Sequence, residues 1–372
     1  MTDHNPISRY ISEISWAEPE RARLFSQWLA SVQTPFQLQP QTLRIASADA
    51  SFRRYLRIDS LLENHPTLII MDAPPQHEDC RPFVHVAQLM QTAGIRAPEI
   101  LHWDEPNGFM LISDLGSQTV LQAINPEHPD MGLAGKLFPQ AVNTLIRWQL
   151  ASDPQKLPVF SEPLLRRDLN LFPEWYIGQY RQTALTPEQQ HTLETTFNQI
   201  IRRNLASACV YVHRDYMPRN LMVNDSSASP AACNPSELGV LDFQDAVYGP
   251  ITYDIASLMR DAFHSWDEEF VLDITIRYWE AARKAGLPVD ADFSDFWVAV
   301  EWMGLQRHLK ILGIFARLTL RDGKAKYLAD TPRFIHYVRA TCSRYRDLGP
   351  LLKLIDQIEN IQPQYAYSYG KS

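Results

Sequence analysis

Short runs in the first third of the chain alternate apolar and polar residues with the period of two that is typical of strands. Two other segments, from about residue 18 to 32 and from about 78 to 90, repeat their apolar residues at helical spacing. The predicted strands cover residues 43–46, 52–58, 67–71, 100–103 and 109–112. The pattern predicts a small antiparallel sheet with two helices, followed by a hinge at residues 114–116.

Helical periodicity dominates the chain from about residue 133 onward. The predicted helices cover residues 134–150, 187–205, 251–263, 268–285, 293–320 and 332–346. Two short apolar runs, 209–212 and 238–241, are predicted to be strands among these helices. We therefore predict an α+β fold of two lobes. Residues 1–116 would form the small β lobe and hinge, and residues 117–372 the larger, mainly helical lobe.

The composition is that of an ordinary folded protein. The 372 residues are 45% hydrophobic and 21% charged, which is enough to bury the cores of two lobes. The formal net charge of -8 argues against nonspecific binding to nucleic acid, and neither a membrane-length apolar segment nor a signal peptide is visible. The cysteines are scattered without metal-ligand spacing and are predicted to be reduced: Cys80, Cys209, Cys233 and Cys342. We therefore expect a cytoplasmic protein that binds neither nucleic acid nor membrane.

Oxygen-bearing side chains follow the two short strands of the second lobe. Asp215 comes just after the first strand, Asn220 lies five residues further on, and Asp242 ends the second strand. This pattern suits transfer of a γ-phosphoryl group, because such a protein must position the reactants, hold Mg²⁺ against the phosphates and offer a base to the acceptor hydroxyl. Asp215 is the predicted catalytic base, and Asn220 and Asp242 are the predicted Mg²⁺ ligands.

Each half of this pattern also has a plainer explanation. A strand that ends in His213-Arg214-Asp215 can form a structural ion pair, and an acidic residue such as Asp242 can follow a strand by chance. The ordered combination of both halves is much rarer, so it favours a kinase-type site that uses ATP and Mg²⁺. His213 is expected to brace the loop rather than react, and Arg214 is left open between a structural and a functional role.

A lysine on the third strand commonly holds the nucleotide phosphates in kinase-like small lobes, paired with a glutamate on the next helix. Here the corresponding strand leads to Met71 and Asp72, and no lysine precedes Lys136. Either the protein is inactive or another cation replaces the lysine. Arginine is suited to this task because its forked guanidinium donates to phosphate oxygens.

The arginines near the loop 49–52 are the candidates for that cation. Arg53 and Arg54 are predicted to contact ATP, whereas Arg57 is left open between that role and a solvated position on the strand. Alternation along the strand places Arg53 and Arg57 on one face and Arg54 on the other. Glu78 either orients one of these arginines or acts only as an acid at a helix start. The predicted nucleotide site comprises Ser51, Phe52, Arg53, Arg54 and Asp114.

The motifs at residues 213–220 and 242–245 resemble those of the aminoglycoside phosphotransferase superfamily, whose fold is protein-kinase-like. Four further blocks resemble, within it, the anomeric sugar kinases that phosphorylate N-acetylmuramate and N-acetylglucosamine at C1 in bacterial cell-wall recycling. These blocks cover residues 49–55, 71–75, 171–175 and 306–310. The resemblance implies ATP, Mg²⁺ and an amino sugar as ligands. One departure is Ala48, which stands where the sugar-kinase pattern usually has glycine.

The predicted acceptor-binding residues lie in the second lobe. A sugar that bears an acidic lactyl group would suit tryptophan faces and forked cations. The cations from Arg307 to Arg317 favour an anionic or neutral sugar over a polycationic aminoglycoside, whereas Trp302, at helical spacing with Leu305, is more typical of a core. Arg219 is also predicted to be catalytic, by contacting the γ-phosphate or an acceptor carboxylate, with a loop ion pair as the alternative. The predicted acceptor site comprises Glu174, Trp175, Arg307 and His308.

Two other functions stay open. A kinase of this superfamily could act on an aminoglycoside or an amino alcohol. The missing lysine also allows a nucleotide-binding regulator without catalysis, although Asp215, Asn220 and Asp242 together argue against it. The oligomeric state is not predicted by any of these patterns.

Overall fold

The computed structural model describes residues 14, 16, 18–47, 53–224 and 237–362. This part of the chain forms the helices α1 (Pro19–Gln33), α2 (Arg81–Thr92), α3 (Val120–Ile124), α4 (Met131–Leu150), α5 (Glu162–Leu171), α6 (Pro187–Ala206), α7 (Thr252–Met259), α8 (Glu268–Lys284), α9 (Phe293–Leu320), α10 (Thr331–Arg344) and α11 (Gly349–Ile358). It forms the strands β1 (Leu38–Ser47), β2 (Arg54–Leu62), β3 (His65–Asp72), β4 (Ile100–Asp104), β5 (Phe109–Ser113), β6 (Cys209–Val212), β7 (Leu221–Met222), β8 (Gly239–Val240) and β9 (Val247–Pro250).

Contacts between residues divide the chain into two units. The sheet unit comprises Met1–Ala151 and Pro218–Ala246, and the helical unit comprises Ser152–Met217 and Val247–Ser372. This division differs from the predicted boundary at residue 116. The reason is that residues after 116 are bonded to the hairpin of β7 and β8, where the Val223 amide donates to the Gln118 carbonyl at 3.0 Å.

The sheet unit contains the predicted antiparallel sheet, in the order β1-β2-β3-β5-β4. Helix α1 covers one face, and its buried Phe25 and Trp28 contact Phe109 of β5 at ring distances of 5.5 and 5.4 Å. Strand β2 turns alternate residues to this face, where Leu56 and Ile58 are buried. Burial of these apolar side chains fixes which residues of β2 face α1 and which face the opposite side.

Two boundaries in the sheet unit differ from the predicted ones. Strand β1 begins at Leu38 rather than near residue 43, with an irregular register against β2 between Gln39 and Arg44. Helix α2 begins at Arg81 rather than near residue 78, because the Asp79 carboxylate accepts the Arg81 amide at 3.0 Å and ends the preceding turn.

The helical unit is organised around α9, which matches its predicted range of 293–320. Most of this helix is buried, from Phe296 to Ala316, so apolar and polar side chains alike are enclosed. Gly313 allows this helix to approach a neighbour closely, since a Cβ there would lie 2.4 Å from the carbonyl group of Leu171. That residue ends α5 and leads into a π-helix at Phe172–Tyr180, which the sequence pattern did not predict.

Other features agree with the predictions or refine them. The predicted helix at 251–263 is shorter, Thr252–Met259. Cys80, Cys209 and Cys342 are free thiols, as predicted, and Cys233 lies outside the described residues. Among the helices of the described ranges, none is both long and apolar enough to span a membrane.

Candidate active site

The loop after β6 carries the predicted base and is held by a buried carboxylate. The backbone amides of His213 and Arg214 donate to Asp254 of α7 at 2.7 and 3.0 Å. Arg214 has a φ of 76°, a left-handed backbone conformation that is uncommon for a residue other than glycine. The Asp215 amide donates to Nδ1 of His213 at 3.3 Å, so His213 braces this loop. Such strain persists where surrounding structure compensates for it, and it is frequent at functional sites.

Asp254 was not identified from the sequence. It is fully buried, and burial raises its pKa to about 7, against the lowering effect of the two backbone hydrogen bonds and of Arg307. An acid inside the apolar run Tyr253–Leu258 was the available signal, since a buried carboxylate needs donors.

Asp215 lies among cations of the helical unit. Withdrawal from water alone would raise the pKa of its carboxyl group, but the charges of Lys310, Arg307 and Arg214 outweigh that effect, and the pKa lies below its ordinary value. Asp215 is therefore ionised at neutral pH. An ionised carboxylate is the form that accepts a proton from an acceptor hydroxyl.

The cations around Asp215 are held by Asp168 of α5, a second residue that sequence reasoning missed. Its Oδ2 lies 3.4 Å from Nζ of Lys310 and 3.3 Å from a terminal nitrogen of Arg214. Arg307 donates to the Arg214 carbonyl at 2.6 Å and lies over the Tyr253 ring at 4.8 Å. Asp168 thus balances part of the positive charge and fixes the side chains that act on Asp215.

The predicted metal ligands lie together in the sheet unit. Asn220 ends a 3-10 turn, Asp242 follows β8, and the Leu241 amide donates to the Asn220 carbonyl at 2.9 Å. Nδ2 of Asn220 donates to Oδ2 of Asp242 at 3.3 Å, and Nε2 of Gln244 donates to Oδ1 at 2.9 Å. Asp242 has a φ of 62°, so this residue too adopts a left-handed conformation.

These two side chains fit Mg²⁺ when nucleotide phosphates supply further oxygens. Asp242 is exposed, and its carboxylate would supply the charge that attracts the ion, while Asn220 would add a neutral amide oxygen. Across the described ranges, no group of three or more His, Cys, Asp or Glu side chains is placed to hold a metal ion. An incomplete protein shell is typical of Mg²⁺ in kinases, because this ion keeps waters and phosphate oxygens among its ligands.

Asp215 belongs to the helical unit, whereas Asn220 and Asp242 belong to the sheet unit. Their predicted convergence on one triphosphate stays a prediction. Arg219, in the 3-10 turn Pro218–Asn220, is partly buried, and its contact with the γ-phosphate or an acceptor carboxylate likewise stays a prediction.

The three arginines that follow the loop 49–52 lie on the two faces of the sheet, as the alternation of side chains along the strand predicted. A terminal nitrogen of Arg53 lies 3.1 Å from Glu78, which confirms that Glu78 orients one of these arginines. Arg57 pairs with Asp114 at 2.6 Å and also donates to the Gly116 carbonyl at 2.7 Å. Arg53 and Arg57 therefore have carboxylate partners on the face away from α1. Ser51 and Phe52 lie outside the described residues.

Arg54, the other arginine predicted to contact ATP, has partners that favour a structural role. It is on the α1 face, where its guanidinium pairs with Asp72 and lies over the Trp16 ring at 4.0 Å. Asp72, at the position where kinases place the lysine, is buried and also accepts Nε of Arg21 at 2.9 Å. This ion-pair cluster joins α1 to the sheet, so the structure favours a stabilising role for Arg54. Arg53 is left as the candidate for the missing cation.

The predicted acceptor residues occupy different environments. Glu174 is exposed and Trp175 half-buried on the π-helix, and Arg307 is buried beside the loop of Asp215. His308 is a correction, because it is buried and stacked on Tyr337 at a ring distance of 4.8 Å. Burial lowers its pKa well below the ordinary value, and nearby Arg260 lowers it further, so the ring is neutral. His308 packs in the core, as does Trp302.

The fold and these motifs define a phosphotransferase. The chain matches the model of the phosphotransferase enzyme family over residues 42–289. That match covers more than half of its 372 residues, and the chain belongs to this family.

Within the family, the chain is similar to two proteins named N-acetylmuramate/N-acetylglucosamine kinase. It is 45% identical to that of Pseudomonas aeruginosa over 319 residues, which are 86% of this chain and 89% of the relative. It is 41% identical to that of Neisseria meningitidis serogroup B over 339 residues, which are 91% of this chain and 96% of the relative. The resemblance inferred from the sequence motifs is thereby confirmed.

Solved structures support the predicted kinase-like fold. The ADP-bound aminoglycoside phosphotransferase APH(2'')-Ib is similar with a TM-score of 0.55 and 13% identity, covering 84% of this chain and 97% of that one. Choline kinase from Cryptosporidium parvum is similar with a TM-score of 0.58 and 13% identity, covering 88% and 98%. At these identities the likeness concerns the fold alone.

Proposed function

We propose that this protein is an ATP- and Mg²⁺-dependent kinase that phosphorylates the anomeric hydroxyl of N-acetylmuramate and N-acetylglucosamine. The observation that carries the proposal is the similarity, over most of both chains, to the kinases so named in Pseudomonas aeruginosa and Neisseria meningitidis. The product would be a sugar 1-phosphate for cell-wall recycling, made in the cytoplasm, where ATP is supplied.

In the proposed reaction, Asp215 receives the proton of the acceptor hydroxyl. The C1 oxygen attacks the γ-phosphorus, the bond between that phosphorus and the bridging oxygen to the β-phosphate breaks, and ADP leaves with the bonding electron pair. The lowered pKa of Asp215 keeps the carboxylate ionised and ready to orient the hydroxyl.

Asn220 and Asp242 would hold Mg²⁺ in this proposal. When bound, the ion offsets the negative charge of the phosphates. The hydrogen bond from Asn220 Nδ2 to Asp242 and that from Gln244 fix the two ligand side chains relative to each other. Such bonds orient ligands before the ion arrives.

Arg53 would replace the absent lysine on the nucleotide side. Its pairing with Glu78 resembles the lysine–glutamate pair of kinases, and its side chain is 9% exposed, so its charge acts with little screening by water. Ser51 and Phe52 precede it in the chain and are kept in the proposed nucleotide site. Asp114 contributes by fixing Arg57 and the Gly116 amide, which donates to it at 2.9 Å.

The acceptor would be bound by residues of the helical unit. Arg307 and Lys310 place positive charge near Asp215, which suits an acceptor with a carboxylate and opposes a polycation. Glu174 and Trp175 of the π-helix are proposed to contact the sugar, and Arg219 to contact the γ-phosphate or the acceptor carboxylate.

Phosphorylation of an acceptor panel tests the proposal. We expect ADP release, and a sugar 1-phosphate signal in phosphorus NMR, with N-acetylmuramate and N-acetylglucosamine. The methyl glycoside of N-acetylglucosamine is the matched control, because its anomeric oxygen carries no proton, and it should give no product. Asp215→Asn should lower turnover about 100-fold or more while ATP binding is kept.

Three outcomes would count against the proposal. Consumption of aminoglycosides or amino alcohols alone would assign another acceptor. Nucleotide binding without ADP formation for any acceptor would favour a regulator. Near-normal turnover by Asp215→Asn would remove Asp215 from the role of base.

A further inference from the structure

Arg96 joins three segments of the sheet unit. It lies in the loop between α2 and β4, and its side chain donates to the carbonyl of Leu115 at 3.0 Å. Its own carbonyl accepts the amide of Val240, in β8, at 2.8 Å. One residue therefore connects this loop, the segment after β5 and the strand that leads to Asp242.

Gly239 shows how closely the arginine is packed against β8. A Cβ at Gly239 would lie 3.1 Å from Nη1 of Arg96, 2.9 Å from Cδ1 of Leu115 and 3.2 Å from Cβ of Met222. These distances leave no room for a methyl group unless neighbours shift. The guanidinium thus fills the space behind the hairpin of β7 and β8.

Arg147 of α4 strengthens the same arrangement. It donates to the Gly94 carbonyl at 3.1 Å and to the Glu237 carboxylate at 2.9 Å. The loop that contains Arg96 is therefore anchored to α4 and to the residues that enter β8. Arg147 therefore holds the loop of Arg96 in place beside β8.

We propose that Arg96 is a positioning residue for the Mg²⁺ site. The Arg96 carbonyl bonds to Val240, two residues before Asp242, and the Arg96 side chain packs against the neighbouring Gly239. The side chain thereby holds β8 where Val240 pairs with Leu221, the residue after Asn220. A displacement of β8 would separate the two ligand side chains, because the bond from Asn220 to Asp242 already spans 3.3 Å. This inference rests on the proposed function, since it assigns Arg96 to the metal site of that reaction.

The test measures Mg²⁺-dependent binding of ADP without any acceptor, by calorimetry on the full chain. Arg96→Ala should raise the Mg²⁺ concentration for half-maximal enhancement of ADP binding about tenfold, the lower end of what loss of a ligand-orienting partner costs. Affinity for ADP without Mg²⁺ should stay within about twofold. Arg96→Lys keeps one donor for Leu115 and should recover part of the loss. Arg81→Ala is the control, because Arg81 is 73% exposed and pairs with its neighbour Asp79.

Two further measurements separate positioning from general destabilisation. Arg96 is one of the residues that line a cavity of about 660 Å³, with Trp103 and Glu237 among the others, so removal of its side chain should extend this cavity by a space that suits a small cation. Guanidinium ion at low, non-denaturing concentration should therefore restore Mg²⁺ dependence in Arg96→Ala and leave Arg81→Ala unchanged. Gly239→Ala should reproduce the weakened Mg²⁺ response by displacing the guanidinium, and the double variant should be less impaired than the sum of both.

The inference is overturned if Arg96→Ala keeps the wild-type Mg²⁺ response, or if it loses ADP binding equally with and without Mg²⁺. Wild-type protein whose ADP binding ignores Mg²⁺ would overturn both this inference and the proposed function. A normal Mg²⁺ response without phosphorylation of any sugar would overturn the proposed function alone.

Discussion

The carboxylate of Asp254 accepts the backbone amide of His213 at 2.7 Å, and this hydrogen bond ties the loop of the predicted base to helix α7. The neighbouring amide of Arg214 donates to the same carboxylate at 3.0 Å. The left-handed conformation of Arg214 is maintained by these two bonds, which position the following Asp215. A buried acid on α7 thereby helps to determine where the predicted base lies.

Replacing Asp254 with alanine should destabilise the protein and impair catalysis. Two amides, one buried and one partly buried, would lose their acceptor at about 1–3 kcal/mol each, so we expect a loss of about 2–6 kcal/mol in the free energy of unfolding. Urea denaturation measures this loss, and turnover of the refolded variant should fall more than its KM for ATP changes. Asp273→Ala is a control, because Asp273 is 50% exposed and pairs with Arg277 on the surface of α8. Unchanged stability in Asp254→Ala would contradict this role.

Asp254 should also make stability depend on pH. Its pKa of about 7 in the folded protein exceeds the ordinary value of 3.8, so the folded state binds the extra proton between about pH 4 and 7. The free energy of unfolding of the wild type, relative to Asp254→Asn, should therefore decrease as pH rises through this window. Denaturation curves of both proteins at pH 5 and pH 8 test the sign. A difference that grows with pH would contradict it.

Lys310→Met should shift the acid limb of the pH–rate profile to higher pH. Among the charged groups near Asp215, Lys310 lowers its pKa the most. Arg307, Arg214 and His213 lower it as well. Removing one of them raises that pKa, so Asp215 becomes protonated, and inactive as a base, at a higher pH than in the wild type. The measurement is kcat/KM against pH. Lys284→Met, at the exposed end of α8, should leave the profile in place, and an unshifted acid limb in Lys310→Met would refute the coupling.

Arg53 and Arg54 should have opposite phenotypes although they are adjacent. Loss of the Arg53 guanidinium would remove the proposed charged hydrogen bonds to phosphate, which are worth about 1.5–3 kcal/mol, so Arg53→Ala should raise the KM for ATP about 10- to 100-fold. Arg54→Ala breaks the pair with Asp72 and should lower the melting temperature while the KM for ATP stays near that of the wild type. Steady-state kinetics and thermal denaturation of both variants decide the assignment. Reversed phenotypes would return Arg54 to the nucleotide site.

Features that depend on residues close together in the sequence were predicted better than features that depend on residues far apart. Helix α9 was predicted with its correct ends because a long apolar repeat determines such a helix locally. The π-helix was not, since its i→i+5 hydrogen bonds leave no 3.6-residue period to recognise. The motif residues were chosen by spacing, but the left-handed conformations of Arg214 and Asp242 had no glycine to indicate them.

The contributions of distant residues were the least predictable. Asp254 is a single acid in an apolar run and Asp168 follows two arginines, and only the folded chain brings Asp168 to Lys310 and Asp254 to the loop of Asp215. The alternation of side chains along the strand placed Arg54 on the correct face. Asp72, however, was considered only as a residue that stands where kinases have a lysine, and not as the partner of Arg54. Ion-pair partners in a fold are chosen by tertiary packing, which a single sequence does not encode in any local pattern.

Gly313→Ala and Gly135→Ala should change stability in opposite directions. A Cβ at Gly313 would lie 2.4 Å from backbone atoms of Leu171, which cannot move aside as a flexible side chain would, so we expect a loss of at least about 1–3 kcal/mol. Gly135 is an exposed position in α4 with nothing within 4 Å of its Cβ, and alanine there should add about 0.5–1 kcal/mol by restricting the unfolded chain and favouring the helix. Urea midpoints at constant m-value measure both changes. A stable Gly313→Ala variant would mean that α5 and α9 do not pack as closely as the structure has them.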